Sequence, residues 1–297
     1  MRPRTSMLAA ALVALVVSGC GAGTEVWPDA DIVGPGRTLP PPPATSASAS
    51  PTAPPDDGNG ELGDLQDLDL NQYPATASEW GQSITGVRTR LATEEPVVAI
   101  TLDACAGPGG LGFDGALIDL LVAEEVPATL FVTRTWIEAN EDAFAELASQ
   151  DQFEIANHGT QCRPLSVTGE SAYGITGTSS VAEVVDDVAG GLQAIEERTG
   201  AAPVYFRAGT AHYDEVAVRI VQDLGLVPVG SDLLGDGGAT FTAAQVSAEL
   251  ERAQPGSIVL LHMNHPESGT VDGVQAALPS LRDRGLRFVL LSDYQLE

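Results

Sequence analysis

The sequence predicts an α/β fold built on a parallel β-sheet. From about residue 96 onward, short apolar runs rich in β-branched residues alternate with amphipathic segments of helical spacing. Strands that alternate with helices over about 200 residues are typical of a parallel sheet, either closed into a barrel or open and doubly wound. In both architectures the chemistry lies at the carboxyl ends of the strands.

Seven strands and six helices are predicted in this region. The helix over 180–198 begins with a capping box, Ser180-x-x-Glu183, and ends before Gly200. The predicted strands cover 97–102, 128–133, 153–157, 204–206, 227–230, 257–262 and 287–291. The predicted helices cover 114–124, 138–149, 180–198, 214–224, 242–253 and 271–284.

The charge balance excludes several classes of protein. The 297-residue chain carries 41 acidic and 14 basic side chains, for a net charge of −27, so it has no basic footprint for nucleic acid. All 14 basic residues are arginine. Because the chain lacks lysine, P-loop and Schiff-base chemistry are also excluded.

The first residues have the pattern of a signal peptide. Arg2 and Arg4 precede an apolar run over 7–17, which is shorter than a membrane-spanning helix. Val17-Ser18-Gly19-Cys20 resembles the bacterial lipobox. We therefore expect cleavage after residue 19 and a lipid on Cys20 that holds an exported protein at the outer face of the cell membrane. Ordinary cleavage nearby, with Cys20 either lost or left without lipid, is the alternative.

The domain organisation follows from composition. Residues 1–19 are predicted to be the signal peptide, and 20–75 to be the lipidated cysteine and a disordered linker, rich in Pro, Ser and Ala over about 34–60. Residues 76–297 are predicted to form the folded domain. The sequence leaves open whether 61–95 packs on that domain.

Polar side chains follow every predicted strand. They are Asp103, Arg134, His158, Arg207, Asp232, His262 and Asp293. The four histidines of the chain, His158, His212, His262 and His265, all fall at or just beyond strand ends. For any one histidine a structural role remains the alternative, but together the four predict a functional site at this edge of the sheet.

Four short motifs, each at the end of a predicted strand, carry a family resemblance. They are Ile100-Thr101-Leu102-Asp103, Asn157-His158-Gly-Thr-Gln-Cys162, Phe206-Arg207 and Leu260-Leu261-His262. In order and approximate spacing across 96–297, they resemble the polysaccharide deacetylases, the NodB-like domain of carbohydrate esterase family 4. The resemblance implies a distorted (β/α) barrel of about seven parallel strands. It also implies a hydrolase that cleaves the C–N bond of acetyl groups on N-acetylated glycans such as peptidoglycan or chitin.

The resemblance also assigns roles to residues. The family uses a divalent metal, usually zinc, held by an Asp and two His, with a second Asp as base and a late His as acid. By position, Asp103 matches the base and His262 the acid. Arg207 matches the arginine that orients the base, and His158 the first metal-binding histidine.

Two positions depart from the family pattern, which puts the metal in doubt. Ala104 stands where the family has its metal-binding Asp, and Cys162 where it has the second His. In one interpretation Cys162 joins His158 and Asp103, with or without Cys105, in a thiolate zinc site. In a second, Cys105 and Cys162 form a disulfide, which export favours. In a third, both cysteines are unpaired and buried.

Other polar residues are predicted to line the substrate groove. His265 is expected either to bind a relocated metal or to line the groove, and His212 to line it. Asp232 and Asp236 lie where the family has an acid that supports the arginine. In one interpretation either of them pairs with Arg207, and in the other both are exposed loop acids without a role.

The rival hypothesis is a non-catalytic lipoprotein that has lost the metal site and binds glycan. The changed ligand positions, Ala104 and Cys162, favour it. The retained Asp103, Arg207 and His262 favour a hydrolase, because a pure binding module needs neither an acid nor a base.

Overall fold

The computed structural model describes residues 68–105 and 110–297. The predicted signal peptide, Cys20 and the linker up to residue 67 lie outside the described residues. Within the described part, no helix is long and apolar enough to cross a membrane.

The secondary structure alternates between strands and helices from residue 97 onward. The described strands are β1 (Trp80–Gly81), β2 (Val97–Ala104), β3 (Ala128–Val132), β4 (Phe153–Asn157), β5 (Ser171–Ala172), β6 (Ile175–Thr176), β7 (Tyr205–Phe206), β8 (Tyr213–Asp214), β9 (Val227–Pro228), β10 (Leu233–Leu234), β11 (Ser257–His262) and β12 (Arg287–Val289). The described helices are α1 (Gly115–Ala123), α2 (Arg134–Ala139), α3 (Glu141–Ala148), α4 (Val181–Thr199), α5 (Glu215–Asp223), α6 (Ala243–Leu250) and α7 (Thr270–Asp283).

Seven parallel strands curl into a half-barrel, in the order β10-β11-β2-β3-β4-β7-β9, and β12 also pairs with β2. This confirms the predicted distorted (β/α) barrel. The register places Asp103 of β2 opposite His262 of β11, and Asn157 of β4 opposite Phe206 of β7. The carboxyl ends of these strands therefore gather the residues of all four sequence motifs.

Strand β2 runs through the middle of the core. All eight of its residues are buried, as expected for a parallel strand covered on both faces. Ile100 and Leu102 point outward and pack in the cluster that includes residues of α1, α6 and α7. Ala99 points inward, into a second cluster. Because side chains alternate along a strand, Asp103 shares the inward face with Ala99, at the open end of the half-barrel.

All seven predicted strands overlap observed strands, but the helix predicted over 138–149 is wrong in one respect. It is two helices, α2 and α3, separated at Asn140, whose φ of −134° and ψ of 45° lie outside the helical region. Helix α2 starts four residues earlier than predicted, immediately after β3, where the Thr133 side chain accepts a hydrogen bond from the Trp136 N–H.

The segment before β2 packs on the half-barrel. Tyr73 is buried, and its hydroxyl donates a 2.8 Å hydrogen bond to Asp223 at the end of α5. Strand β1 pairs antiparallel with β8, and Leu91 lies in the core. The placement that the sequence left open is thus settled for residues 68–95.

Candidate active site

Asp103 and Arg207 form a buried ion pair at the base of the site. Asp103 is 2% exposed and Arg207 is fully buried. One guanidinium nitrogen of Arg207 donates to Asp103 Oδ1 at 2.7 Å and to the Thr101 hydroxyl at 2.8 Å. The other terminal nitrogen donates to the Gly230 carbonyl, and the guanidinium lies 4.1 Å from the centre of the Phe131 ring. These contacts fix Arg207 and orient the carboxylate of Asp103.

His158 lies directly beside this pair. Its Nδ1 is 2.6 Å from the backbone carbonyl of Arg207, which can only accept, so Nδ1 carries the proton. The lone pair of Nε2 then faces the cleft, 3.7 Å from Asp103 Oδ2. Burial lowers the pKa of His158 below its ordinary value, with the charge of Asp103 opposing that shift. His158 is therefore a neutral acceptor at pH 7.

Cys105 and Cys162 are joined by a disulfide, with Cα atoms 5.4 Å apart. Of the three arrangements that the sequence left open, the structure contains this one. Cys105 follows β2, and Cys162 lies on the loop after β4 with its Sγ 3.7 Å from His158 Nε2. The bridge thus occupies the corner where the motifs place the family's metal ligands.

While the disulfide is intact, this donor set does not fit the family's metal. A catalytic zinc usually takes three protein ligands and keeps one position open. Here Ala104 offers no donor, a disulfide sulfur is not a thiolate, and Asp103 Oδ1 is held by Arg207. His158 Nε2 and Asp103 Oδ2 alone are too few for a firm site.

His262 is held by Asp236. The carboxylate of fully buried Asp236 accepts from the His262 backbone N–H at 2.7 Å, from its ring Nδ1 at 2.9 Å and from the Thr270 hydroxyl at 3.1 Å. Burial lowers the pKa of His262, but the charge and hydrogen bond of Asp236 outweigh it and raise the pKa above its ordinary value. These contacts favour the doubly protonated imidazole, which carries a proton on Nε2 as well as on Nδ1.

The predicted pairing of Asp232 or Asp236 with Arg207 is wrong. Among the described residues, Asp236 pairs with His262, whereas Asp232 pairs with Arg90 and accepts from Ser257. The described lining of the cleft includes neither acid. Both carboxylates lie behind the site, where they accept hydrogen bonds from backbone N–H groups of β11, Asp232 from Ile258 and Asp236 from His262.

A cavity of about 810 Å³ opens above these pairs. Its described lining includes Asp103, His158, His262, His265, Gln82 and Tyr173. Of the two predicted roles of His265, metal binding or lining the groove, the structure agrees with lining the groove. The Nδ1 atom of His265 lies 3.2 Å from Glu267 Oε1. A cavity of this volume is in the range of small-molecule sites and admits more than one sugar ring.

Three neighbouring rings, here called the rim, lie beside the cleft. Only Tyr173 among them belongs to the described lining, so the prediction that His212 lines the groove is not confirmed. His212 lies between Trp80 of β1, at 5.6 Å between ring centres, and Tyr173, at 5.5 Å in an edge-on arrangement. Tyr173 is 77% exposed, at the tip of the β5–β6 hairpin with a φ of 53°, an uncommon conformation for a residue other than glycine. Sequence reasoning missed this rim, although Trp80 and a hairpin turn at Tyr173-Gly174 were both visible.

The loop that carries His158 and Cys162 is fastened to α4. Asp187 of that helix accepts from the Gln161 N–H at 3.1 Å, and burial raises its pKa to about 7. Gly159 has a φ of 82°, and a Cβ there would meet Asp187 Oδ2 at 2.2 Å. Only glycine therefore lets this loop turn so close to the helix.

Comparison with known proteins identifies the class. Residues 90–229 match the family model of the polysaccharide deacetylases, so this part of the chain is a polysaccharide deacetylase domain. The match ends before β11, so His262 lies beyond it. No curated protein matches the chain.

Solved structures share the fold. A peptidoglycan N-acetylglucosamine deacetylase is 22% identical, with a TM-score of 0.60 over 71% of this chain and 94% of its own. A family 4 pseudoenzyme from Bacillus anthracis is 19% identical, with a TM-score of 0.57 over 69% of this chain and 67% of its own. A family 4 acetyl xylan esterase from Clostridium thermocellum, in complex with cobalt, is 24% identical, with a TM-score of 0.53 over 66% of this chain and 89% of its own.

Proposed function

We propose that the protein is a deacetylase-like hydrolase that removes acetyl groups from N-acetylated glycans of the peptidoglycan or chitin type. One observation carries this proposal. Asp103 and His262 lie opposite each other on neighbouring strands, face the same cleft, and are each fixed by a buried partner of opposite charge. This is the geometry that a general base and a general acid need on either side of a reacting carbonyl.

The roles follow from the free atoms of each pair. Asp103 Oδ1 is held by Arg207, so Oδ2 is the oxygen available to take a proton from an attacking water. His262 Nδ1 is held by Asp236, so the proton on Nε2 is available for the departing amine. His158 Nε2 accepts a hydrogen bond from the water or from the substrate N–H.

In the family a divalent metal adds polarisation of the carbonyl to this acid and base chemistry. The disulfide-bonded chain offers too few donors for it, so we expect slow hydrolysis that depends on Asp103 and His262 alone. General acid–base catalysis contributes about 10²–10⁴-fold, and a metal several kcal/mol more.

Acetate release tests this proposal. The purified protein is incubated with N-acetylglucosamine oligomers and with cell-wall fragments, and acetate is measured against the Asp103→Asn variant. We expect Asp103→Asn to lower the rate by at least about 100-fold. Asp119→Asn, an exposed acid on α1, is the matched control and keeps the rate. Equal acetate from wild type and Asp103→Asn overturns the hydrolase proposal.

An extracellular location brings the protein to such glycans. In this proposal the chain is exported and is held at the outer face of the membrane by lipid on Cys20, which the lipobox-like motif supports. Labelled palmitate that enters the wild-type protein but not a Cys20→Ser variant would support the anchor, and a chain that stays unlabelled would refute it.

A second candidate function is glycan binding without catalysis. The disulfide in the metal corner favours it, and a structure with the same fold is described as a pseudoenzyme. The exposed ring of Tyr173, which lines the cleft, suits either candidate, because an exposed aromatic face gives large contact area to the apolar faces of sugar rings.

Replacing Tyr173 with alanine is expected to weaken the binding of N-acetylglucosamine oligomers. Losing one ring contact of about 0.5–1.5 kcal/mol corresponds to about 2- to 12-fold in Kd. Titration calorimetry measures the change, and Tyr173→Phe keeps the ring and the affinity. Because the side chain is 77% exposed, the fold should not depend on it. Unchanged affinity in Tyr173→Ala would remove the rim from the glycan site.

A further inference from the structure

We propose that reduction of the Cys105–Cys162 disulfide converts this corner of the cleft into a zinc site made of two thiolates and the imidazole of His158. Zinc binding by these three residues does not depend on the proposed hydrolase function. Its consequence, faster hydrolysis by the reduced and loaded chain, rests on that function.

The spacing of the three ligand atoms fits zinc. The two Sγ atoms and a ring nitrogen of His158 all lie within 4.8 Å of one another. Cys162 Sγ and His158 Nε2 are 3.7 Å apart. A tetrahedral zinc with Zn–S of about 2.3 Å and Zn–N of about 2.0 Å has an S···N edge of about 3.5 Å. Separation of the two sulfurs is therefore the main movement that binding requires.

His158 is already oriented as a ligand. Its Nδ1 proton is donated to the Arg207 carbonyl at 2.6 Å, so the lone pair of Nε2 points toward the sulfurs. Metal-binding histidines usually have this kind of hydrogen bond on the other ring nitrogen, because it fixes the tautomer and the ring. The buried Arg207 backbone holds the imidazole in the same place in either oxidation state.

A zinc site of this kind would explain the two changes at the family's ligand positions. The chain lacks an Asp at Ala104 and a His at Cys162, but it supplies two sulfurs on the same two loops. Two Cys and one His, with the fourth position open to water, form a ligand set known from catalytic zinc sites. Asp103 Oδ2, 3.7 Å from His158 Nε2, would not be one of these ligands and would stay free to act as base.

The chemistry requires a dithiol as reductant. The dithiol is oxidised to its cyclic disulfide, and its two electrons and two protons convert the Cys105–Cys162 bridge into two thiols. When zinc binds, each thiol loses its proton to solvent, so two protons are released per zinc. The two negative thiolates then balance the double positive charge of the zinc ion, and His158 binds as a neutral ligand.

Metal stoichiometry tests the site directly. The purified protein is treated with dithiothreitol, desalted without oxygen, mixed with zinc and desalted again, and bound zinc per chain is measured. We expect about one zinc in the reduced protein and none in the untreated protein. Cobalt in place of zinc should give near-ultraviolet absorption from thiolate-to-metal charge transfer, a readout that needs no activity.

The Cys105→Ser/Cys162→Ser double variant is the matched control, because it keeps Cys20 and every other donor. Circular dichroism verifies its fold. Zinc that binds equally to this variant, or fails to bind the reduced wild type, overturns the proposal. Zinc binding without acetate release would support the metal site and refute the hydrolase proposal. Acetate release without zinc binding would support the hydrolase proposal and refute the metal site.

Discussion

Replacing Arg207 with methionine is expected to lower the free energy of unfolding by about 3–5 kcal/mol, the cost of leaving a buried charge without its partner. Asp103 is 2% exposed and its Oδ1 depends on Arg207, so the variant must either bury a bare carboxylate or protonate it. The variant also frees the carbonyl of Gly230 from its guanidinium donor. Urea unfolding of wild type and variant at pH 7 measures the loss.

Two further variants separate charge from packing. In Arg207→Met/Asp103→Asn both charges are absent, and much of the lost stability should return. Arg134→Met removes an exposed arginine whose one ion pair among the described residues is with Glu138 of its own helix, so it should cost less than about 0.5 kcal/mol. If the double variant is as unstable as Arg207→Met, the loss is one of packing and hydrogen bonds, and the ion-pair account is wrong.

The second large effect concerns the pH dependence of hydrolysis. With Asp236→Asn, the pKa of His262 should fall, because Asp236 supplies the charge and the hydrogen bond that raise it. A general acid works only while protonated, so the rate falls as pH rises through its pKa. We expect acetate release at pH 8 to drop by about 10-fold or more in the variant, because a general acid contributes about 10²–10⁴-fold, and the drop should shrink as the pH is lowered and a larger share of His262 is protonated.

Asp232→Asn is the control for this result, since Asp232 pairs with Arg90 outside the described lining of the cleft. Its pH profile should coincide with that of wild type. A nuclear magnetic resonance titration of the His262 ring measures the pKa without any activity. An unmoved His262 pKa in Asp236→Asn would refute the assignment of Asp236 as the group that keeps the acid protonated.

The half-barrel and the positions of Asp103, Arg207, His158 and His262 could be predicted from sequence for one physical reason. Parallel strands are buried on both faces, so each reads as a short apolar run that ends abruptly in polar residues. Their carboxyl ends then meet at one edge whatever the connections. The pattern thus predicts both the sheet and the residues at its functional edge.

The partners of those residues could not be predicted in the same way. Asp236 pairs with His262 because of the path of a loop 26 residues earlier in the chain, which no local pattern encodes. The ring of Trp80 is positioned by the pairing of β1 with β8. Each of these strands has two residues, which is too short to show the alternation of apolar and polar residues that predicts a strand. Tertiary packing decides both.

The disulfide illustrates the same limit. Cys105 and Cys162 are 57 residues apart, and the sequence is compatible with a bridge, a metal site or free thiols. The disulfide forms because the fold brings the two cysteines together. The ends of β2 and β4 lie on either side of β3, and the two Cα atoms are 5.4 Å apart, within the range that a disulfide spans.

Peptide mapping of the non-reduced protein tests the central claim, that a disulfide fills the corner where relatives in this family hold a metal. Trypsin cleaves this lysine-free chain after arginine but not before proline, and Pro164 follows Arg163. Cys105 therefore falls in the peptide 91–134 and Cys162 in the peptide 135–198. The account predicts one cross-linked mass for these two peptides, from a sample that contains no stoichiometric zinc. Two separately alkylated peptides from a sample with one zinc per chain would contradict it.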